Sequence, residues 1–119
     1  MSGALQLDSI GLEAMRDVIS FAGFDKPASS RRETFHVVNG SDLHITALRL
    51  RITYSDLQGR MLHRRELTLP IDIPQGETRM ADIATFDRQN TLYYHKSRPP
   101  RKGGMPFGVE ISLLGVWAE

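Results

Sequence analysis

The chain of 119 residues predicts an all-β fold, an antiparallel β-sandwich of about seven strands, and three observations carry that reading. Apolar and polar residues alternate in three separate segments, around 48–54, 67–73 and 107–113. Period-two alternation marks a strand with one buried and one wet face. Turn-forming clusters divide these segments: Asn39-Gly40, Asp56-Leu57-Gln58-Gly59, Pro74-Gln75-Gly76-Glu77 and Arg98-Pro99-Pro100. Several short strands at near-regular spacing form a sandwich rather than alternating α/β units.

The elements follow in order. Residues 1–15 read as an edge strand or a flexible N-terminal segment, with Leu5 and Leu7 alternating with polar neighbours. Residues 9–22 admit two readings. Leu12, Met15 and Ile19 recur at helical spacing, with Ser9 as cap and Gly23 as stop. Val18-Ile19-Ser20-Phe21 is β-branched and aromatic, and on that ground we read the segment as strand. Residues 33–39 form the next strand, and Asn39-Gly40 closes a tight turn, since both residues tolerate positive φ. Residues 43–55 form the longest strand, with Leu48, Leu50, Ile52 and Tyr54 on one face and Arg49, Arg51 and Thr53 on the other. A four-residue loop returns the chain into residues 61–73. Pairing Ser55 with Arg60 sets Leu48 opposite Leu67, Arg49 opposite Glu66, His63 opposite Ile52, and Arg51 opposite Arg64 in a like-charge pair. Pro70 lacks a donor and marks an edge or bulge. Residues 78–84 and 91–96 are short strands, 85–90 is a polar loop, and 107–117 closes the domain with a bulge expected at Leu113-Leu114. The expected core is Leu48, Leu50, Ile52, Leu67, Leu69, Val109 and Ile111, with Trp117, the only tryptophan, covering one end.

Composition bounds the function. The length fits one domain over 1–119. A net charge of +1 gives no global field to draw the chain to nucleic acid or membrane. The absence of cysteine excludes a disulfide framework and thiolate metal sites. No apolar run approaches the ~18 residues of a membrane-spanning helix. The N-terminus shows neither the basic nor the apolar stretch of a signal peptide, so an exported protein would need a leader outside this sequence.

Phe35 to Ile83 resembles the FxLYD-type bacterial immunoglobulin-like domains. The matching features are Val37 and Asn39 before the turn, Tyr54-Ser55-Asp56 followed by Gly59, and Ile73-Pro74-Gln75-Gly76-Glu77-Thr78. The whole chain is also similar to small exported proteins of the Bacteroidetes type, through Tyr93-Tyr94 and the Arg/Pro loop. The resemblance implies an immunoglobulin-like sandwich, an extracytoplasmic (periplasmic or secreted) address and no catalytic residues. Past Ile83 the FxLYD pattern has no counterpart here.

The candidate binding residues are Tyr93, Tyr94, Lys96, Arg98, Arg101 and Lys102. Lys96 to Lys102 holds four cations in seven residues without an acid, stiffened by Pro99-Pro100 and flanked by Tyr93, Tyr94 and Phe107. Cations interleaved with aromatics suit anionic polymers, and a stiff loop suits partner contact; the plain alternative is a solvated loop. Arg49, Arg51 and Arg64 form a second positive patch, or simply splay into water. His36, His44, His63 and His95 have no metal-ligand spacing, although His36 and His44 would approach across a hairpin; we expect no metal and no cofactor. Neither a nucleophile elbow nor a phosphate loop is present. The sequence therefore points to a non-enzymatic interaction module of the envelope, binding another protein through a sandwich face, an edge strand or the 96–102 loop. Binding of an anionic glycan, lipid headgroup or nucleic acid through that loop is the alternative, and a hydrolase or metal enzyme the last. Oligomeric state is not legible.

Overall fold

The computed structural model describes residues 3–119. Two sheets pack face to face. One has the order β1-β8-β4-β5, from β1 (Leu5–Gln6), β8 (Met105–Ala118), β4 (Ile45–Asp56) and β5 (Met61–Ile73), with β7 (Leu92–Tyr94) also on β8. The other has the order β2-β3-β6, from β2 (Ile19–Asp25), β3 (Arg32–Asn39) and β6 (Thr78–Ala84). The sandwich is as expected, with eight strands among the described residues. Every ladder is antiparallel except the short parallel pairing of β7 with β8.

The alternation in β4 does what its pattern dictates. Leu48, Leu50, Ile52 and Tyr54 are fully buried between the sheets, against Phe35, Val37 and Phe107. Leu67, Leu69, Val109 and Ile111 are half-buried at its margin, since β5 is an edge strand and β8 is partly unpaired. Pro70 sits on that edge opposite Ala47, where the register shifts, and Leu114 is the extra residue of a bulge between Leu113 and Gly115.

Four expectations are corrected. Residues 9–22 are not one strand: Ser9–Arg16 form helix α1 before β2. Asp8 caps the helix, its carboxylate accepting the Gly11 N–H at 2.9 Å. Packing of Met15 and Leu12 on the core overrides the weak local preference of an eight-residue segment. Asn39-Gly40 does not close a hairpin, because β3 and β4 lie in different sheets, and neither residue has positive φ. Asn39 is instead buried and pins the crossover, its amide donating to the carbonyls of Leu43 and Ile73 at 2.8 and 2.9 Å. Gly40 is required for closeness: a Cβ there would stand 2.6 Å from the Val18 carbonyl oxygen.

The β4–β5 register is displaced by two residues from the expected one. Leu48 faces Leu69, Leu50 faces Leu67, His63 faces Tyr54, and Arg51 faces Glu66 rather than Arg64. Leu62 bulges where Ser55 pairs with Met61, and Asp56 holds the turn by accepting the Gln58 and Arg60 amides. The like-charge conflict disappears: Glu66 accepts from both Arg51 and Arg49, and the Arg51 hydrogen bond holds its carboxyl below the usual range. Finally, Trp117 alternates with the buried Val116 and Ala118 and so faces outward, half-buried between Gln6 and Ala47, rather than covering a core end.

Candidate functional site

One flank of β8 is occupied only at its ends. On one side β8 pairs with β4 from Phe107 onward. On the other, β7 covers residues 105–107 and β1 covers 117–118. The bonds on this second flank fix which groups point there. The Met105 N–H donates to Thr91 O, the His95 N–H to Phe107 O, and Leu7 N–H to Val116 O. Arg16 of α1 reaches over and donates from Nε to Leu113 O at 3.1 Å. Backbone groups alternate sides along a strand, and the pairing with β4 is regular from Phe107 to Leu113. Val109 and Ile111 therefore turn their N–H and C=O groups to the same flank, where no hydrogen bond within the described residues meets them.

Behind these groups lies a cavity of about 450 Å³ that opens between the sheets. Its far lip is β2. The β2–β3 register shifts between Ala22 and Asp25, with Gly23 at φ +65°. A glycine in the left-handed region at a bulge re-aims the following side chain, and Phe24 turns in to stack on Phe35 with ring centroids 6.2 Å apart. Phe21, Phe35, Tyr94, Val109 and Ile111 complete an apolar lining. Glu110 stands exposed at the rim, opposite Thr53, and makes no ion pair among the described residues.

A buried charge pair fixes the end of this opening formed by β7. Lys26, at the end of β2, is fully buried; its ammonium donates to Asp87 at 3.0 Å, Leu92 O at 2.8 Å and Ala28 O at 3.3 Å. Burial pushes the Asp87 carboxyl up, but the Leu92 amide, the Lys26 ammonium and the Thr91 amide outweigh it and hold its pKa below the ordinary value.

The predicted loop residues are divided by the structure. Lys96, Arg98, Arg101 and Lys102 are exposed and enter no ion pair among the described residues. Arg98 and Arg101, with Pro99 and Pro100, form one wall of a cleft of about 480 Å³ whose other wall is Pro27, Ala28 and Ser29. Ser97 ties the loop down, donating to Asp25 at 2.6 Å and accepting the Lys26 N–H at 2.9 Å. Tyr93 is half-buried near Gly104 and Pro100. Tyr94 points the other way, edge-on to Phe24 and Phe107, and lines the cavity instead. Phe107 is fully buried, so the stacking surface expected beside the cations reduces to Tyr93.

The remaining candidates are dispersed. His36 lies beside Gly23, His63 stacks on Phe86, and His95 abuts Tyr94. His44 meets Asp72 and Glu119 on opposite ring nitrogens, a geometry that cannot converge on one ion; the expected approach of His36 to His44 fails because β3, which carries His36, and β4, which His44 precedes, lie in different sheets. Glu33, fully buried, accepts from Tyr54 Oη, from Arg65 at 3.0 Å and from the Phe86 N–H at 2.9 Å, which welds β3 to β4 and β5. Burial, with the Glu33 charge next, pushes the Tyr54 hydroxyl pKa well above its ordinary value. Neither Lys26–Asp87 nor the open flank was legible in the sequence. Lys26 and Asp87 are 61 residues apart, and an unpaired flank leaves no residue signature of its own.

No family model matches the chain, and neither a curated protein nor a solved structure matches it.

Proposed function

We propose that this chain is a non-enzymatic interaction module that takes an extended segment of another polypeptide at the open flank of β8. The observation that carries the reading is the set of free backbone groups of Val109 and Ile111 in front of an apolar cavity. An extended peptide satisfies such an edge by main-chain hydrogen bonds and gains specificity from pockets for alternate side chains. The same flank already holds strands at both ends, β7 and β1. Strand order supports the immunoglobulin-like reading and the likeness to FxLYD-type domains: β2-β3-β6 against β8-β4-β5 follows the A-B-E and F-C-C′ orders of that fold. The open flank of β8 is then where the last strand of the fold pairs. The extracytoplasmic address rests on the resemblance alone.

The test uses peptides selected from a displayed library of linear sequences on the whole chain. Val109→Pro and Ile111→Pro remove N–H groups that bond nothing in the free protein, so melting should change little beyond lost side-chain packing, whereas peptide binding should vanish. Binding that survives both substitutions refutes the reading.

The four free cations beside the Arg98–Arg101 cleft favour a second reading, capture of an anionic polymer. Its mark is affinity for heparin or anionic vesicles that falls steeply with salt and is lost in an Arg98→Ser, Arg101→Ser, Lys102→Ser triple variant.

A further inference from the structure

We infer that the segment taken at the β8 flank carries an apolar–basic–apolar triplet, with lysine or arginine at its centre and large aliphatic or aromatic side chains on both sides. The inference rests on strand addition at Val109 and Ile111 and specifies the chemistry of the added strand. The available length is short. At one end His95 holds the Phe107 carbonyl, and at the other Arg16 holds the Leu113 carbonyl. Between them lie residues 108–112, about 17 Å at ~3.3 Å per residue, so the paired stretch is about five residues long.

Side chains on an added strand alternate in register with those of β8. Val109 and Ile111 face into the cavity and Glu110 faces out. A guest residue opposite Glu110 is therefore on the wet face, and its two neighbours enter the cavity. That cavity is walled by Phe21, Phe24, Phe35 and Tyr94, and its volume of about 450 Å³ suits one or two large apolar side chains. The outward position meets a carboxylate. The charged and titratable groups around the opening are Arg16, Glu13, Glu110, the rings of His95 and His36, and on the outer face Arg51 opposite Ser112 and Arg64 bonded to Thr53. Arg16 is engaged with Glu13 at 2.8 Å and with Leu113 O. Arg51 is held by Glu66 and Arg64 by Thr53, so Glu110 enters no ion pair among the described residues, and opposite charges directly across two strands attract while like charges repel.

Linear peptides displayed on phage and panned on the whole protein decide the matter, followed by affinity measurement on wild type, Glu110→Gln, Glu110→Lys and Ile111→Pro. The expected result is enrichment of apolar–basic–apolar triplets whose binding weakens a few-fold in Glu110→Gln. In Glu110→Lys it weakens on the order of tenfold or more, through like-charge repulsion. Re-centring the same peptide on glutamate should then restore binding to Glu110→Lys. Peptides that lose binding in Ile111→Pro yet show no basic centre and ignore Glu110→Lys overturn the triplet and leave strand addition standing. If no selected peptide depends on Ile111, both fall. Should the free protein sediment as a dimer that Ile111→Pro dissociates, the occupant is a second copy, and the triplet is overturned.

Discussion

Replacing Lys26 with methionine removes one member of a buried charge pair and strands the other. The Lys26 side chain is 0% exposed and that of Asp87 is 4%. Methionine keeps most of the hydrocarbon stem, so the loss is chiefly the ammonium and its three hydrogen bonds, to Asp87, Leu92 O and Ala28 O. Removing one partner of a buried pair costs roughly 3–5 kcal/mol, because the remaining charge is left without compensation. Unfolding entropy scales with length, at roughly 0.25 kcal/mol/K for a chain of this size, which converts the loss into a Tm lowered by about 12–20 °C. Differential scanning calorimetry measures it directly. Adding Asp87→Asn removes the stranded charge while keeping an oxygen for the Leu92 N–H, and should recover more than half of the loss. The pH profile supplies an independent check. In the wild type the Asp87 carboxyl titrates below its unfolded value, so its contribution is present above that value and is lost as pH falls through the depressed one. In Lys26→Met the ammonium's share of that lowering is lost while the Leu92 and Thr91 amides remain, so the variant loses less stability than the wild type as pH falls through this range. The Tm gap should therefore narrow as pH falls below the ordinary carboxylate range. A Tm lowered by less than about 5 °C, or no recovery with Asn, refutes the pair as a buried clamp.

Three further outcomes follow from the same geometry. Gly40→Ala should destabilise the chain measurably in thermal melts, because its Cβ would lie 2.6 Å from backbone oxygen of Val18; an unchanged Tm would deny the close approach. The Arg98→Ser, Arg101→Ser, Lys102→Ser triple variant should melt within the range of ordinary surface substitutions, about 0.5 kcal/mol each, since none of the three is packed or ion-paired. Tyr54 has a folded pKa raised above its unfolded value of 10.0. The stability it contributes is thus present below pH 10 and falls as pH rises beyond it, and Tyr54→Phe should flatten the alkaline limb of a Tm-versus-pH curve.

The sandwich was legible because alternation is a property of single strands: β4 shows its buried face without reference to any partner. Register was not. A displacement of two residues keeps every side chain on its own face, so Leu67 and Leu69 serve equally well opposite Leu48, and only the Leu62 bulge decides. The N-terminal helix was hidden for a different reason. Eight residues with a glycine at position 11 have little helical preference, and it is Met15 docking on the core that holds them. Asn39 misled by its chemistry, since the side chain that favours tight turns here satisfies carbonyls from two separate segments. The cationic loop was visible as composition, and its four charges enter no ion pair among the described residues. The opening beside β8 depends on what fails to pair, which no local pattern records.

How the other strand edges are treated sharpens the case for that opening. An exposed edge invites pairing with other chains, and proteins blunt it with charges, proline or bulges. On β5 the outer edge carries Pro70 with Arg64, Arg65 and Glu66. On β6 it carries Arg79 and Asp82, the latter bonded to Arg32. The edge of β2 is bent by the bulge at Gly23. Along β8 the free stretch is Gly108-Val109-Glu110-Ile111-Ser112, with one charge, no proline and a regular ladder behind it. It is closed at both ends, by β7 under the Lys26–Asp87 clamp and by Arg16 of α1. A gap of about five residues has the length of an ordinary strand. It is long enough for a guest strand to make the main-chain bonds that Val109 and Ile111 leave open. Protection at three edges and a bounded, nearly undefended gap at the fourth is the pattern expected where pairing is the function.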